Sequence, residues 1–435
     1  MSSGLQDRSL SEIVSSLASL GAQRLFAKFL APNDNSKNQP YLARGSLSVL
    51  NMFPVGPVEE ARVGQRPTFR APFPLYWVTA EGQLEKSPGS QLIVYPKYPE
   101  VRLSGFLRGV SHGPNALMSA RLPGRILLLA VTHDRRVLGM VLHPESDAAI
   151  ELTVRSVAFE RQGVLAIVPL SGGGTSKQRL LSLLGQIHRA GWTDSMRLTG
   201  HGRVPCRGTN CGGCTLEALM GIAANSDAGP DFDGWEIKGH HTRGFNRAPT
   251  GQVTLMTPAP TGGLYKEDPV EFVRAFGYPD KFDSSRTNFS SPHRVGVRNP
   301  KTGLTANLYG FELEENTIVE AGGKLVLTND AGFEAAAWDL PSMMDKWTHK
   351  HAKAAFVPYI SRTEPFKQYA YGHTIKLGEG TDFLLFLRQL FLGHVAYDPG
   401  IWIHGGRLGR ARSQFRVAAR YVPDLYHAVC EAPVT

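Results

Sequence analysis

The sequence predicts a mixed α/β (α+β) protein of two domains, a β-rich one over residues 1–170 and a larger one over residues 177–435. Three observations predict it. Between residues 47 and 168 short apolar runs alternate with Pro and Gly, the spacing of strands and turns. Beyond residue 177 helical and strand periods follow one another. Between the two lies Leu170-Ser-Gly-Gly-Gly-Thr-Ser-Lys177, whose glycines make 171–176 the best linker candidate. The stretch faintly resembles a phosphate-binding loop, but it lacks the G-K-[ST] order that such a loop requires.

Along the first domain, residues 9–30 read as one amphipathic helix. Leu10, Ile13, Val14, Leu17 and Leu20 recur at three and four, and Ser9 or Ser11 stands ready as its cap. Residues 32–41 form an amide-rich polar loop, a surface connection that is also able to meet base edges or phosphates. Strands are expected at 76–79, 91–95, 126–131, 137–142 and 164–169. Arg62, Arg66, Arg70, Arg102, Arg108, Arg121 and Arg125 lie among Phe69, Phe73, Tyr95, Tyr98 and Phe106. Solvated strand edges give this pattern, and so does a nucleic-acid face.

The chain has 435 residues and a net charge of +9, which suits a polyanionic partner. The surplus is shared: residues 1–176 hold 18 Lys+Arg against 13 Asp+Glu, and the remainder 29 against 25. Four cysteines, three of them within nine residues, do not make a secreted disulfide framework and fit a reducing, cytoplasmic setting. No apolar run approaches the roughly 20 residues that cross a bilayer, so no membrane partner is expected.

The chemistry concentrates in residues 206–241. Residues 177–189 read as a helix burying Leu180, Leu181, Leu184 and Ile187, and 215–224 as a second burying Leu216, Leu219, Met220 and Ala223. Residues 232–238 read as a strand, placing Glu236 and Lys238 on one face and Trp235 and Ile237 on the other. Asp231 has the wrong parity, and Gly234 offers a bulge or bend that brings it back. Asp231 and Glu236 with the Ile237 carbonyl supply the hard oxygens that Mg2+ prefers. Lys238 then positions water or stabilises transition-state charge, and Glu217, off its helix's buried stripe, supports the site. An ExK pair on a strand is also a common solvated ion pair, so the spacing alone does not decide.

The wider context does more. Gly191-Trp192 after a helix, Arg-Gly-Thr-Asn-x-Gly-Gly-x-Thr-Leu-Glu at 207–217, Leu-Met-Gly-Ile at 219–222 and Pro230-Asp231-x3-Trp235-Glu236-Ile237-Lys238 stand in order. This series resembles the MvaI/BcnI family of type II restriction endonucleases, PD-(D/E)xK nucleases related to the MutH nicking enzyme, over roughly residues 177–435. The resemblance implies a nuclease core with a mixed central sheet flanked by helices. It also implies an active site of Glu217, Asp231, Glu236 and Lys238, a Mg2+ cofactor for which Mn2+ substitutes, and a core able to act as a monomer on double-stranded DNA. Cys214 departs from the family pattern, as do the added Cys206 and Cys211. His201, Cys206, Cys211 and Cys214 have a zinc ligand set's chemistry but not a common module's spacing, so reduced thiols are the expectation.

Beyond the motif a strand at 252–257 is expected beside the ExK strand, then a meander at 295–298, 308–313, 317–319 and 324–327, a helix at 342–355, and a helix or a buried strand at 381–391. Arg407, Arg410, Arg412, Gln414 and Arg416, with His404, make the densest cluster of donors, and Arg416 alternates with Phe415 and Val417 as in a strand. Arginine reads guanine bidentately, so these residues are candidate DNA contacts. Arg294 and Arg298, with Arg286 and His293, form a second candidate face. The expected function is Mg2+-dependent cleavage of duplex DNA at a short sequence, with the N-terminal domain a DNA-binding or effector module. A strand-nicking repair endonuclease and a catalytically idle DNA-binding protein are the alternatives.

Overall fold

The computed structural model describes residues 8–34, 38–63, 66–170, 175–208, 210–223, 230–245, 251–348 and 353–434, with the backbone alone for Arg62, Val63, Arg66 and Arg410. The chain divides into two compact units, Met1–Thr175 and Ser176–Thr435. Most of the linker candidate lies outside the described residues, as does the middle of the amide-rich loop.

In the first unit Ser9 caps the helix Leu10–Ser19 through a reciprocal box with Glu12, which satisfies backbone donors that the helix start leaves open. The helix expected through residue 30 stops here. Gly21 takes φ +91°, and Ala22–Phe29 becomes a strand between Leu165–Val168 and Ile126–Thr132. Its run of four buried residues fits a strand covered on both faces better than a one-sided helix.

This strand is central to a seven-stranded sheet completed by Arg161–Gln162, Val137–Leu142, Leu75–Val78 and Leu84–Lys86. Leu10, Ile13 and Leu17 pack on it beside Ala148, Ala149 and Leu152 of the helix Asp147–Arg155, which the sequence reading missed. Each large apolar side chain so buried contributes about 1.5–3 kcal/mol. A second sheet orders Tyr41–Arg44, Glu100–Ser104, Gln91–Tyr95, Arg66–Pro72 and Glu59–Val63.

In the second unit the organising strand is Lys353–Arg362. It runs parallel to Glu236–His241 and antiparallel to Gln368–Tyr371 and Thr374–Glu379, with Ala428–Pro433 beyond. The helix Ser176–Arg189 brings Leu180, Leu184 and Ile187 to one core with Trp235, Ile237, Ala355, Val357, Ile375 and Leu377. Alternation therefore sends Glu236, Lys238 and His240 to the opposite face, with their register partners Ala354, Phe356 and Pro358.

Several expectations need correction. Gln252–Met256 pairs with Phe415–Ala418 and not with the ExK strand. The helix expected over 342–355 is Leu340–Thr348, and by residue 353 the organising strand has begun. The helix Phe383–Phe391 is capped by Asp382, which accepts from Leu385 N at 3.0 Å. The helix expected at 215–224 is Cys211–Leu219, four residues earlier.

Candidate active site

Asp231 reaches Glu236 through a tight turn. Phe232 and Trp235 exchange backbone hydrogen bonds of 2.9 and 2.7 Å. Between them Asp233 and Gly234 take φ +46° and +85°, the two-residue hairpin turn that Asp-Gly favours. The bend expected at Gly234 is thus a full reversal, and the strand proper starts at Glu236 rather than 232. Arg179 ties the turn to the first helix, with Nε on Asp233 Oδ2 at 2.9 Å. Past the turn Asp231 comes alongside the strand and accepts from Ile237 N at 2.8 Å.

Lys238 Nζ donates to Glu236 Oε1 at 2.6 Å, the lysine 21 % exposed and the glutamate 2 %. Burial alone pulls the ammonium's pKa down. Glu236, by charge and hydrogen bond, and then Asp231 and Glu217 outweigh it and hold the pKa above the ordinary lysine value. The four residues therefore share one electrostatic site, with the cation among three carboxylates. Glu217 arrives from the helix Cys211–Leu219, which two glycines let approach the sheet edge. A Cβ on Gly212 would stand 2.2 Å from the Tyr359 ring, and one on Gly239 3.3 Å from Gly213 Cα. Tyr371 Oη closes the seat on Gly212 O at 2.8 Å.

His240, Lys376 and Tyr426 also occupy this face. His240 continues the period-2 series from Glu236 and Lys238; burial first, then Lys376, lowers its pKa to about 4. Tyr426 lies over Gly378, where a Cβ would meet its ring at 2.6 Å. Burial, and then Glu236, raise its hydroxyl's pKa. Strand parity in the sequence already points to His240; nothing local points to Tyr426, which arrives from the far end of the chain.

The cysteine loop differs from expectation. Cys206 and Cys211 form a disulfide with Cα atoms 5.6 Å apart, so the reduced-thiol reading is overturned and these sulfurs are not zinc ligands. Cys214 is a free thiol; burial and Glu217 raise its pKa. Among the described residues no three His, Cys, Asp or Glu side chains form a metal-ligating group. Mg2+ usually takes only one or two carboxylates and completes its shell with water and phosphate. Asp231 and Glu236 fit that demand. So does Ile237: its N–H faces Asp231, and in an extended strand the carbonyl of a residue leaves on the side of its N–H.

The candidate DNA contacts separate. Arg407, Arg410 and Arg412 lie on Arg407–Arg412, which pairs with Gly400–His404 in a hairpin turned by Gly405 and Gly406 and stands last in its sheet. Arg407 and Arg412 are exposed, as is Arg294. Gln414 is half-buried beyond the strand's end. Arg416 sits in a different sheet, bound to Asp398 at 2.9 Å, and Arg298 forks onto Asp330 with two bonds of 2.8 Å. His404 bonds Ser285 at 2.8 Å, and Arg286 lies 4.6 Å over the Trp402 ring. His293 is 1 % exposed, which removes it from the second candidate face.

Comparison with known proteins follows the same region. Solved structures that resemble the chain include restriction endonuclease MvaI in complex with its cognate DNA substrate, at 16 % identity and TM-score 0.46 over 60 % of this chain and 99 % of that one. MvaI in the absence of DNA matches at 15 % identity and TM-score 0.33 over the same shares. No curated protein sequence matches the chain. The model of the MvaI/BcnI restriction endonuclease family matches residues 181–426, more than half the chain and wholly within the second unit. On that match the chain belongs to the MvaI/BcnI restriction endonuclease family and is a type II site-specific deoxyribonuclease.

Proposed function

We propose that this endonuclease is Mg2+-dependent, with Mn2+ able to substitute, and hydrolyses a phosphodiester bond of duplex DNA at a short specific sequence. Asp231, Glu236 and the Ile237 carbonyl are its metal ligands, Lys238 its water-positioning cation, and Glu217 its supporting carboxylate. The observation that carries this reading is the Lys238 ammonium held 2.6 Å from Glu236 with Asp231 and Glu217 close enough to raise its pKa. Bound there, the metal would supply neutralisation of phosphoryl charge and a more acidic water. The Ile237 N–H orients Asp231, and Lys238, kept protonated, holds the attacking water and meets charge growing on phosphorus.

MvaI has been solved with its cognate DNA, and duplex DNA is the partner proposed here. Arg407, Arg412 and Arg294 are its exposed contacts, and a two-stranded ribbon such as Gly400–Arg412 suits a major groove. Arg410 shares that ribbon's backbone. Arg416 and Arg298 join in once the duplex competes for the carboxylates they now face, and Gln414 adds its amide. The N-terminal unit is proposed as a second DNA-binding module. In plasmid cleavage with Mg2+, Glu236→Ala and Lys238→Ala should each lose at least about a hundredfold in rate. Unimpaired cleavage by either variant refutes the site, and nicks that never mature into double-strand breaks move the assignment to strand-nicking.

A further inference from the structure

The face that carries Glu236 and Lys238 holds a second lysine. Lys238 pairs in register with Phe356, and Phe356 pairs on its other side with Lys376 of Thr374–Glu379. Residues in one row of a sheet project to the same side, and the neighbours Ile237, Ala355, Ile375 and Leu377 all enter the core on the other. Lys376 therefore stands on the active-site face, two strands from Lys238. At about 4.8 Å per strand, their backbones are about 10 Å apart. The electrostatics agree with the register. Lys376 is the charge that, after burial, lowers the pKa of His240, the residue after Lys238 on this face.

Glu236, His240 and Tyr426 are buried, and so is Phe356 between the two lysines. The lysines themselves reach solvent, with side chains 21 % exposed at Lys238 and 28 % at Lys376. They are held very differently. Lys238 makes its hydrogen bond of 2.6 Å to the nearly buried Glu236. Lys376 faces Glu431 at 3.7 Å, too long for a hydrogen bond, and that carboxylate is 65 % exposed on Ala428–Pro433, the last strand of the sheet. Such a pair contributes little and is readily exchanged for another anion. Each strand of duplex DNA carries a phosphate about every 3.4 Å of axis. A strand that puts its scissile phosphate at Lys238 therefore carries others close enough for Lys376 to meet.

We propose that Lys376 is a phosphate-positioning residue, which exchanges Glu431 for a backbone phosphate flanking the scissile one and so holds the strand over the active site. This rests on the proposed function, which brings the duplex across this face.

The test reads DNA binding by the full chain without divalent metal, as fluorescence anisotropy of a short random-sequence duplex between about 50 and 200 mM salt. Lys376→Met should weaken binding about fivefold and lower the slope of log affinity against log salt by about one, because one phosphate contact fewer releases one counterion fewer. Lys376→Arg, which keeps the charge, should keep the slope. Glu431→Gln should tighten binding about threefold in the parent and not on the Lys376→Met background, since it acts by freeing the ammonium. An unchanged slope in a Lys376→Met variant that melts like the parent overturns the proposal. So does an equal gain from Glu431→Gln on both backgrounds, which would mark that carboxylate as a plain repeller of DNA. Cleavage is read separately, with Mg2+. A chain that shows the expected slope change yet cuts nothing refutes the proposed metal chemistry and leaves Lys376 assigned, whereas a chain that cuts with its slope unchanged by Lys376→Met refutes Lys376 alone.

Discussion

Lys238 is the residue on which the active site's charge balance turns. Glu236 is almost wholly buried beside it, and removing one member of a buried pair leaves the other's desolvation uncompensated. Lys238→Met should therefore destabilise the second unit by about 3 kcal/mol at neutral pH, and by less in mild acid, where the abandoned carboxylates take up protons. Urea unfolding at two pH values measures this; equal losses at both would show that the carboxylates were not the cause. His293 gives a second residue-scale prediction. Burial lowers its pKa to about 4, with Nε2 bonded to Thr302 at 2.8 Å and the ring 5.2 Å from Phe289. The unfolded chain protonates first, near 6.5, so this contribution is complete above that pH and fades as pH falls toward 4, by about 3 kcal/mol in all. His293→Gln should flatten the slope in that window. An imidazole titrating at 6.5 by NMR contradicts the argument.

At the scale of the element, the site depends on how closely a helix seats against a strand's edge. Gly212 leaves 2.2 Å between its missing Cβ and the Tyr359 ring, so Gly212→Ala must displace either the ring or the helix that carries Glu217. A loss of about 1–3 kcal/mol is expected, together with a fall in cleavage rate. Tyr359→Leu on that background should recover most of both; if the double variant is no better than the single, the ring is not the obstacle.

The same scale explains what could be read from the sequence. Val137–Leu142 and Gln91–Tyr95 are bounded by turn residues and were legible to the residue. The pairing of Glu236 with Lys238 followed from parity alone. Ala22–Phe29 was not legible, because its apolar run suits a helix until the strands that flank it, about 100 and 140 residues later, are known. Nor was the disulfide, since three neighbouring cysteines allow three pairings and only the fold selects Cys206 with Cys211.

Across the whole molecule, the family match and the four active-site candidates fall inside Ser176–Thr435, whose core residues all come from that unit. The first unit has its own core, two helices on a seven-stranded sheet, and contributes none of those residues. Each unit has the size and buried apolar surface of an independent domain. A fragment spanning residues 176–435 should therefore fold cooperatively and cut plasmid DNA with Mg2+ on its own. Its affinity for DNA should be lower than the full chain's if the N-terminal unit adds contacts of its own. Sedimentation, a thermal melt and plasmid digestion check this together. A fragment that melts cooperatively yet leaves plasmid intact, beside a full chain that cleaves it, would mean that the catalytic unit needs the N-terminal one for chemistry and not only for binding.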